Sequence, residues 1–349
     1  MNDNFENVAP ALVAPGKGIL AADESTPTIT KRFQTIGLPC TEETRRAYRE
    51  MLFTTPHLRD FVSGVILFDE TIRQKTRDGT PFVEVLREQE IIPGIKVDKG
   101  VKPLPRFPGE KITEGLDGLR ERLDEYVQLG ARFTKWRAVI RIGDGIPTRI
   151  CMAANAHAMV RFAATSQEAG LVPMVEPEVV MDGDHNIERC EEVTEAMLRL
   201  VFRELAGHRV ALEQMLLKVN MVLPGEDCPR PASILEVAEA TLRCMKHVVP
   251  PAVPGIVFLS GGQDDILATQ HLNMMNQIGN VPWQLSFSFG RALQAPALKA
   301  WHGEDVHAGQ QALRHRAGCN SGARYGRYSE QMEQRKSPLP EPAAAELIP

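Results

Sequence analysis

Apolar residues in this chain gather into short runs, separated by longer stretches in which they recur every three or four positions. Eight runs stand out: Gly18–Asp23, Gly64–Asp69, Ile91–Asp98, Phe133–Ile140, Leu171–Glu178, Met215–Val222, Gly255–Gly262 and Trp283–Gly290. Runs of this length predict buried strands. The stretches between them predict helices. Leu116, Leu119, Leu123 and Tyr126 repeat at helical spacing, and Gly130 follows as a stop. Val193, Met197, Leu200, Val201 and Leu205 form a second stripe before Gly207. Thr41 precedes Glu42 and Glu43, which suits an N-cap with acids in the first turn. Strands that alternate with helices pair in parallel, because a parallel strand needs a crossover. Eight such units predict an α/β fold, a (β/α)₈ TIM barrel forming one domain over residues 1–336. Residues 337–349, SPLPEPAAAELIP, have no apolar period and read as a flexible C-terminal tail.

The composition agrees with a folded globular chain. Of 349 residues, 43% are apolar and 24% charged, which argues against a disordered, collagen-like or coiled-coil protein. No stretch approaches the ~18 consecutive apolar residues of a membrane span. Residues 1–10 carry acids and amides rather than a basic and apolar leader. A cytoplasmic protein with no membrane partner is expected. The net charge of −5 gives no reason to expect nucleic acid as a partner. The six cysteines include no CxxC pair and read as reduced thiols.

The informative feature is where charges fall within the apolar runs. A strand buried on both faces should be almost wholly apolar. Asp23 closes the first run, Lys96 and Asp98 share a face of the third, and Lys135 and Arg137 share a face of the fourth. Glu176 and Glu178 share a face of the fifth, and Lys218 stands inside the sixth. Any one of these could be a buried ion pair or a residue at a solvated rim. Burying a charge costs several kcal/mol unless it is paired. Five strands repeating that cost toward one end point instead to chemistry at the end where barrels carry it.

Lys218 is the most suggestive of the set. Its neighbours Leu216, Leu217, Val219 and Met221 are apolar, and desolvation disfavours an ammonium, as does a nearby cation such as Lys135. A free lysine, with a pKa of about 10.4, is a poor nucleophile at neutral pH. Lowering that value yields an amine able to form a Schiff base with a carbonyl, and the imine then acts as an electron sink. Asp23, Glu176 and Glu178 are available to move protons.

Ser260, Gly261 and Gly262 follow the seventh run, while Ser288, Phe289, Gly290 and Arg291 end the eighth and open a helix. Small residues, a helix N-terminus and an arginine suit an anion. Ser25, Thr28, Lys31 and Arg32 form a second cationic cluster after the first run. Two anion sites flanking a lysine suggest a bisphosphorylated, carbonyl-containing substrate. None of the nine histidines lies in the strand runs and there is no HExxH, so neither a metal nor a cofactor is expected.

GKGILAADES, GVILFDET, GIKVDKG, KWR, VEPE, LLKVNMV, PGIVFLSGGQ and SFGRALQAPALKAW together resemble class I fructose-1,6-bisphosphate aldolase, from about Val13 to Trp301. The resemblance implies a metal-independent Schiff-base lyase of glycolysis and gluconeogenesis on an α/β barrel, assembled as a homotetramer. By motif, Lys218 resembles the Schiff-base lysine and Lys135 the lysine that tunes it. Glu176 resembles the acid and base of carbinolamine dehydration, with Glu178 in support. Asp23 resembles the residue that takes the C4-hydroxyl proton. Ser260, Gly261, Gly290 and Arg291 resemble the C1-phosphate site. Ser25, Thr28, Lys96 and Arg137 resemble contacts to the open-chain sugar and its C6-phosphate, with Arg32 near that end. Alternatives are a Schiff-base aldolase preferring a related sugar phosphate and a sugar-phosphate-binding scaffold without turnover.

Overall fold

The structure is a computed structural model that describes residues 7–334. Each of the eight apolar runs overlaps a strand: β1 (Gly18–Ala22), β2 (Val62–Leu67), β3 (Ile92–Lys96), β4 (Phe133–Ile140), β5 (Val172–Val179), β6 (Leu216–Val219), β7 (Gly255–Phe258) and β8 (Gln284–Phe289), with β2 starting two residues before its run and β5 ending one residue after. They pair in parallel and in chain order, with β8 returning to β1 to close the barrel. Closure leaves no open edge, and every residue of β1, β2, β5, β6 and β7 is buried.

Side chains alternate across the barrel wall, and the alternation separates two cores. Leu20, Val65, Trp136, Val175, Leu217 and Phe258 point outward and join the layer beneath the helices. Trp136 stacks on Phe162 of the helix Arg149–Glu168, with ring centroids 5.6 Å apart. Ile19, Ile66, Phe133, Val172, Leu216 and Val257 point inward. The short helix Val8–Leu12 closes the amino end of the barrel with Ala9 and Leu12. Gly94 of β3 lies opposite Phe133 in register, and a Cβ there would stand 2.3 Å from the Phe133 ring. The missing side chain is the space that the ring fills.

The helix signals hold with small shifts. Thr41 caps the helix Glu42–Phe53 by accepting a hydrogen bond from Thr44 N at 3.1 Å, and Thr44 Oγ1 accepts one from Thr41 N. The stripe that begins at Leu116 becomes a helix only from Leu119, behind Gly118 in the left-handed region. The second stripe lies in the helix Ile187–Gly207, which Asn186 caps. A two-stranded antiparallel hairpin, Val101–Pro103 with Lys111–Thr113, follows β3 and was not foreseen. Among the described residues, no helix is long and apolar enough to cross a membrane. The expected tail, 337–349, lies outside the described residues.

Candidate active site

The period of two that places Phe133 inside the barrel places Lys135 and Arg137 above it on the same face of β4. Val172 and Met174 are likewise followed by Glu176 and Glu178 on β5, and Leu216 by Lys218 on β6. The barrel interior therefore has an apolar floor and a charged upper half, at the carboxyl ends of the strands.

Glu176 stands between the two lysines. Its Oε2 lies 2.7 Å from Lys135 Nζ and its Oε1 lies 3.2 Å from Lys218 Nζ. Lys135 also donates to Asp23 Oδ2 at 3.0 Å. Lys135, Glu176 and Lys218 are each under 5% exposed. Burial alone would raise the Asp23 and Glu176 carboxyls, but the Lys135 and Lys218 charges outweigh it and hold both below the usual range. The lysines diverge. Burial would lower Lys135, yet Asp23 and Glu176 beside it raise it well above the ordinary lysine value. Lys218 is lowered, first by burial and then by Lys135, with Glu176 only partly opposing. One lysine is thus a fixed cation. The other is the amine whose lone pair is easier to free, with a carboxylate in reach to carry its protons.

The rim of the site is made of cations held by acids. Lys96 pairs with Asp98 Oδ1 at 2.6 Å, and Asp98 Oδ2 also accepts from Arg137 N at 3.3 Å. The Arg137 guanidinium pairs with Glu178 on the neighbouring strand. Ser25 and Thr28 hydrogen-bond each other at 3.1 Å. Arg32 pairs with Glu24, which also binds Arg49 and accepts from Gln294 Nε2 at 2.8 Å. At the ends of β7 and β8, Arg291 Nη2 donates to Gly261 O at 3.0 Å. Gly290 precedes the helix Arg291–Trp301, whose first N–H groups have no intrahelical partner. Such a helix start beside an arginine favours an anion.

The site residues that the family motifs imply line one cleft of about 1330 Å³: Asp23, Ser25, Thr28, Arg32, Lys96, Lys135, Arg137, Glu176, Glu178, Lys218, Ser260, Gly261, Gly290 and Arg291; Gly262 and Phe289 do not. Sequence reasoning missed Glu24, which holds Arg32; Ser288, expected at the anion site, has a buried hydroxyl at the same cleft with no protein partner among the described residues.

Comparison with known proteins places this geometry. A family model described as fructose-bisphosphate aldolase class-I matches residues 4–339. The chain is 58% identical over 329 residues to the probable fructose-bisphosphate aldolase class 1 of Xanthomonas campestris pv. campestris, covering 93% of this chain and 98% of that protein. It is 52% identical over 338 residues to the fructose-bisphosphate aldolase of Dictyostelium discoideum, covering 94% and 95%. A solved structure of fructose-bisphosphate aldolase from Plasmodium falciparum, in complex with TRAP and a small-molecule inhibitor, superposes with a TM-score of 0.92. That pair shares 48% identity over 93% of this chain and 95% of the other.

Proposed function

The chain belongs to the class I fructose-bisphosphate aldolase family, and on that premise we propose how its own residues divide the reaction. The reaction is the reversible aldol cleavage of fructose 1,6-bisphosphate to dihydroxyacetone phosphate and glyceraldehyde 3-phosphate, through a lysine Schiff base, in glycolysis.

Lys218 Nζ attacks the ketose carbonyl. The observation that carries this assignment is the Glu176 carboxylate set between a fixed cation, Lys135, and a lysine of lowered basicity, Lys218. Glu176 Oε1, 3.2 Å from Lys218 Nζ, takes one proton from the Lys218 ammonium and frees its lone pair. On addition a second nitrogen proton passes to the ketose oxygen and gives the carbinolamine hydroxyl; Glu176 then returns its proton to that hydroxyl, which leaves as water and gives the protonated imine. Asp23 accepts the C4-hydroxyl proton as the bond to C3 breaks. Glyceraldehyde 3-phosphate leaves, and the electron pair stays on the imine as an enamine. A proton at C3 and a water at the imine carbon then release dihydroxyacetone phosphate and restore the amine. Lys135, between Asp23 and Glu176, steadies both carboxylates and faces the reacting hydroxyls.

The two phosphates take separate groups of residues at the cleft. Ser260, Gly261, Gly290 and Arg291 receive the C1-phosphate. Ser25, Thr28, Lys96 and Arg137 receive the open-chain sugar and the C6-phosphate; Arg32, expected near that end, has its Nη2 3.7 Å from where a Cβ on Gly290 would stand. Glu178 orients Arg137. The chain works in the cytoplasm as a homotetramer, also toward gluconeogenesis, with a barrel over residues 1–336 and a tail at 337–349. The family resemblance supports the assembly, and sedimentation velocity giving a monomer would overturn it.

Borohydride reduction in the presence of dihydroxyacetone phosphate tests the central assignment. The expected result is loss of activity and an added mass on the peptide containing Lys218. Label on another lysine, or none, overturns it.

A further inference from the structure

We propose that His157, Glu204 and His208 form a binding site for one divalent transition-metal ion of zinc's class, on the outer surface of the barrel. His157 projects from the middle of the helix Arg149–Glu168, while Glu204 lies in the last turn of the helix Ile187–Gly207 and His208 is its C-cap. One donor atom from each of the three side chains lies within 4.8 Å of the other two. His157 Nδ1 stands 3.3 Å from Glu204 Oε2, and the two imidazole rings meet edge to face with centroids 5.3 Å apart.

Three features make this more than a chance meeting of polar groups. Glu204 and His208 are four residues apart, so the helix stacks them on one face. Beneath them, Val160 and Phe162 of one helix and Val201 and Leu205 of the other are buried in the core, which fixes both helices to the barrel. The third feature is the His208 ring. Its Nδ1 lies 3.0 Å from the Glu204 carbonyl oxygen, and a carbonyl only accepts. Nδ1 therefore donates, and in the neutral ring Nε2 is the nitrogen that carries the lone pair. Metal-binding histidines are held by this kind of outer hydrogen bond.

The donor set selects the ion. Two imidazoles and one carboxylate suit zinc, cobalt, nickel or copper, whereas magnesium and calcium take oxygen donors. Tetrahedral zinc, with bonds of about 2.0–2.2 Å, draws its donors to roughly 3.3 Å from one another. The partly exposed side chains reach that by small rotations, and water fills the remaining position. None of the three residues lines the catalytic cleft. The bound ion would tie two neighbouring barrel helices together and take no part in the cleavage of the sugar.

A second group of donors, His315, Cys319 and Glu333, is less suited to an ion. Glu333 is already engaged by Arg316 and Tyr328, and burial pushes the Cys319 thiol up, away from thiolate.

The test uses the full-length chain, stripped with EDTA and titrated with zinc alone by calorimetry. His157→Ala, His208→Ala, Glu204→Gln and Cys319→Ser variants are titrated in parallel, and each is checked by circular dichroism. The expected result is one zinc per chain whose affinity falls about tenfold or more in each His157, Glu204 and His208 variant. It stays unchanged in Cys319→Ser. Cobalt should give a visible absorption band in the wild type that the histidine variants lose. The rate of fructose 1,6-bisphosphate cleavage should be the same in stripped, loaded and variant proteins. Wild-type binding no tighter than that of the His157→Ala/His208→Ala double variant overturns the proposal. So does an affinity lost only in Cys319→Ser.

Discussion

Glu178 gives its carboxylate to the guanidinium of Arg137 on the neighbouring strand, although it shares a strand face with Glu176. The two acids of VEPE are therefore separated by partner: one serves the lysines, the other an arginine at the rim. Glu178→Gln should raise KM for fructose 1,6-bisphosphate by about tenfold, as expected for one lost charge-assisted contact, and leave kcat within about threefold. Steady-state kinetics separates the two. A collapse of kcat with unchanged KM would return Glu178 to the proton-transfer step.

Lys135 is expected to control the charge of Lys218. Removing it in Lys135→Met deletes a nearby cation and leaves Asp23 and Glu176 without their shared partner. Both changes favour the ammonium form of Lys218, so its pKa rises. The acid limb of the kcat/KM profile should move to higher pH, and kcat should fall about a hundredfold or more. Lys135→Arg keeps the charge but not the compact head and should also be poor. A near-normal kcat in Lys135→Met, with the acid limb unmoved, would remove Lys135 from the reaction.

Gly94→Ala probes the floor of the barrel. The added methyl would meet the Phe133 ring at 2.3 Å. Overpacking of this kind costs typically about 1–3 kcal/mol. Urea unfolding should show the loss, and Phe133→Leu in the same chain should recover part of it. Equal stability of Gly94→Ala and wild type would mean that the ring has room to move.

Glu333 should make stability depend on acid. Burial alone would raise its carboxyl, but hydrogen bonds from His315 and Arg316, with the Arg316 charge, bring it down to about 2. A carboxyl lowered on folding stabilises the protein fully above its unfolded pKa, here near 4.5, and loses that contribution as pH falls toward 2. Glu333→Gln leaves the buried Arg316 short of a charge partner and should melt several degrees lower at pH 7. The gap should narrow as pH falls from about 5 to about 3. A gap that is constant with pH would show a packing effect rather than a charge effect.

The strands were legible because a barrel wall is buried on both sides and reads as an apolar run, and the cleft because charges interrupt those runs. Lys135, Glu176 and Lys218 declared themselves in this way. The hairpin Val101–Pro103 with Lys111–Thr113 did not, because three-residue strands at the surface leave no apolar period. Glu24 was hidden by Asp23 beside it, since only packing shows that Asp23 meets Lys135 while Glu24 turns to Arg32 and Arg49. His157 and Glu204 are 47 residues apart on separate helices, a distance that no spacing rule spans.

The apolar floor and the charged upper half are carried by the same strands at a period of two. A slip of one residue in β6 would turn Lys218 outward and Leu216 with it, so the reacting amine and the supporting core fail together. Turnover is thus a built-in assay of conformational fidelity. A chain that has paired its strands wrongly cannot persist as a well-packed but silent competitor. The fraction of lysine trapped by borohydride should therefore equal the fraction of molecules correctly folded, which makes the covalent intermediate a direct measure of refolding yield.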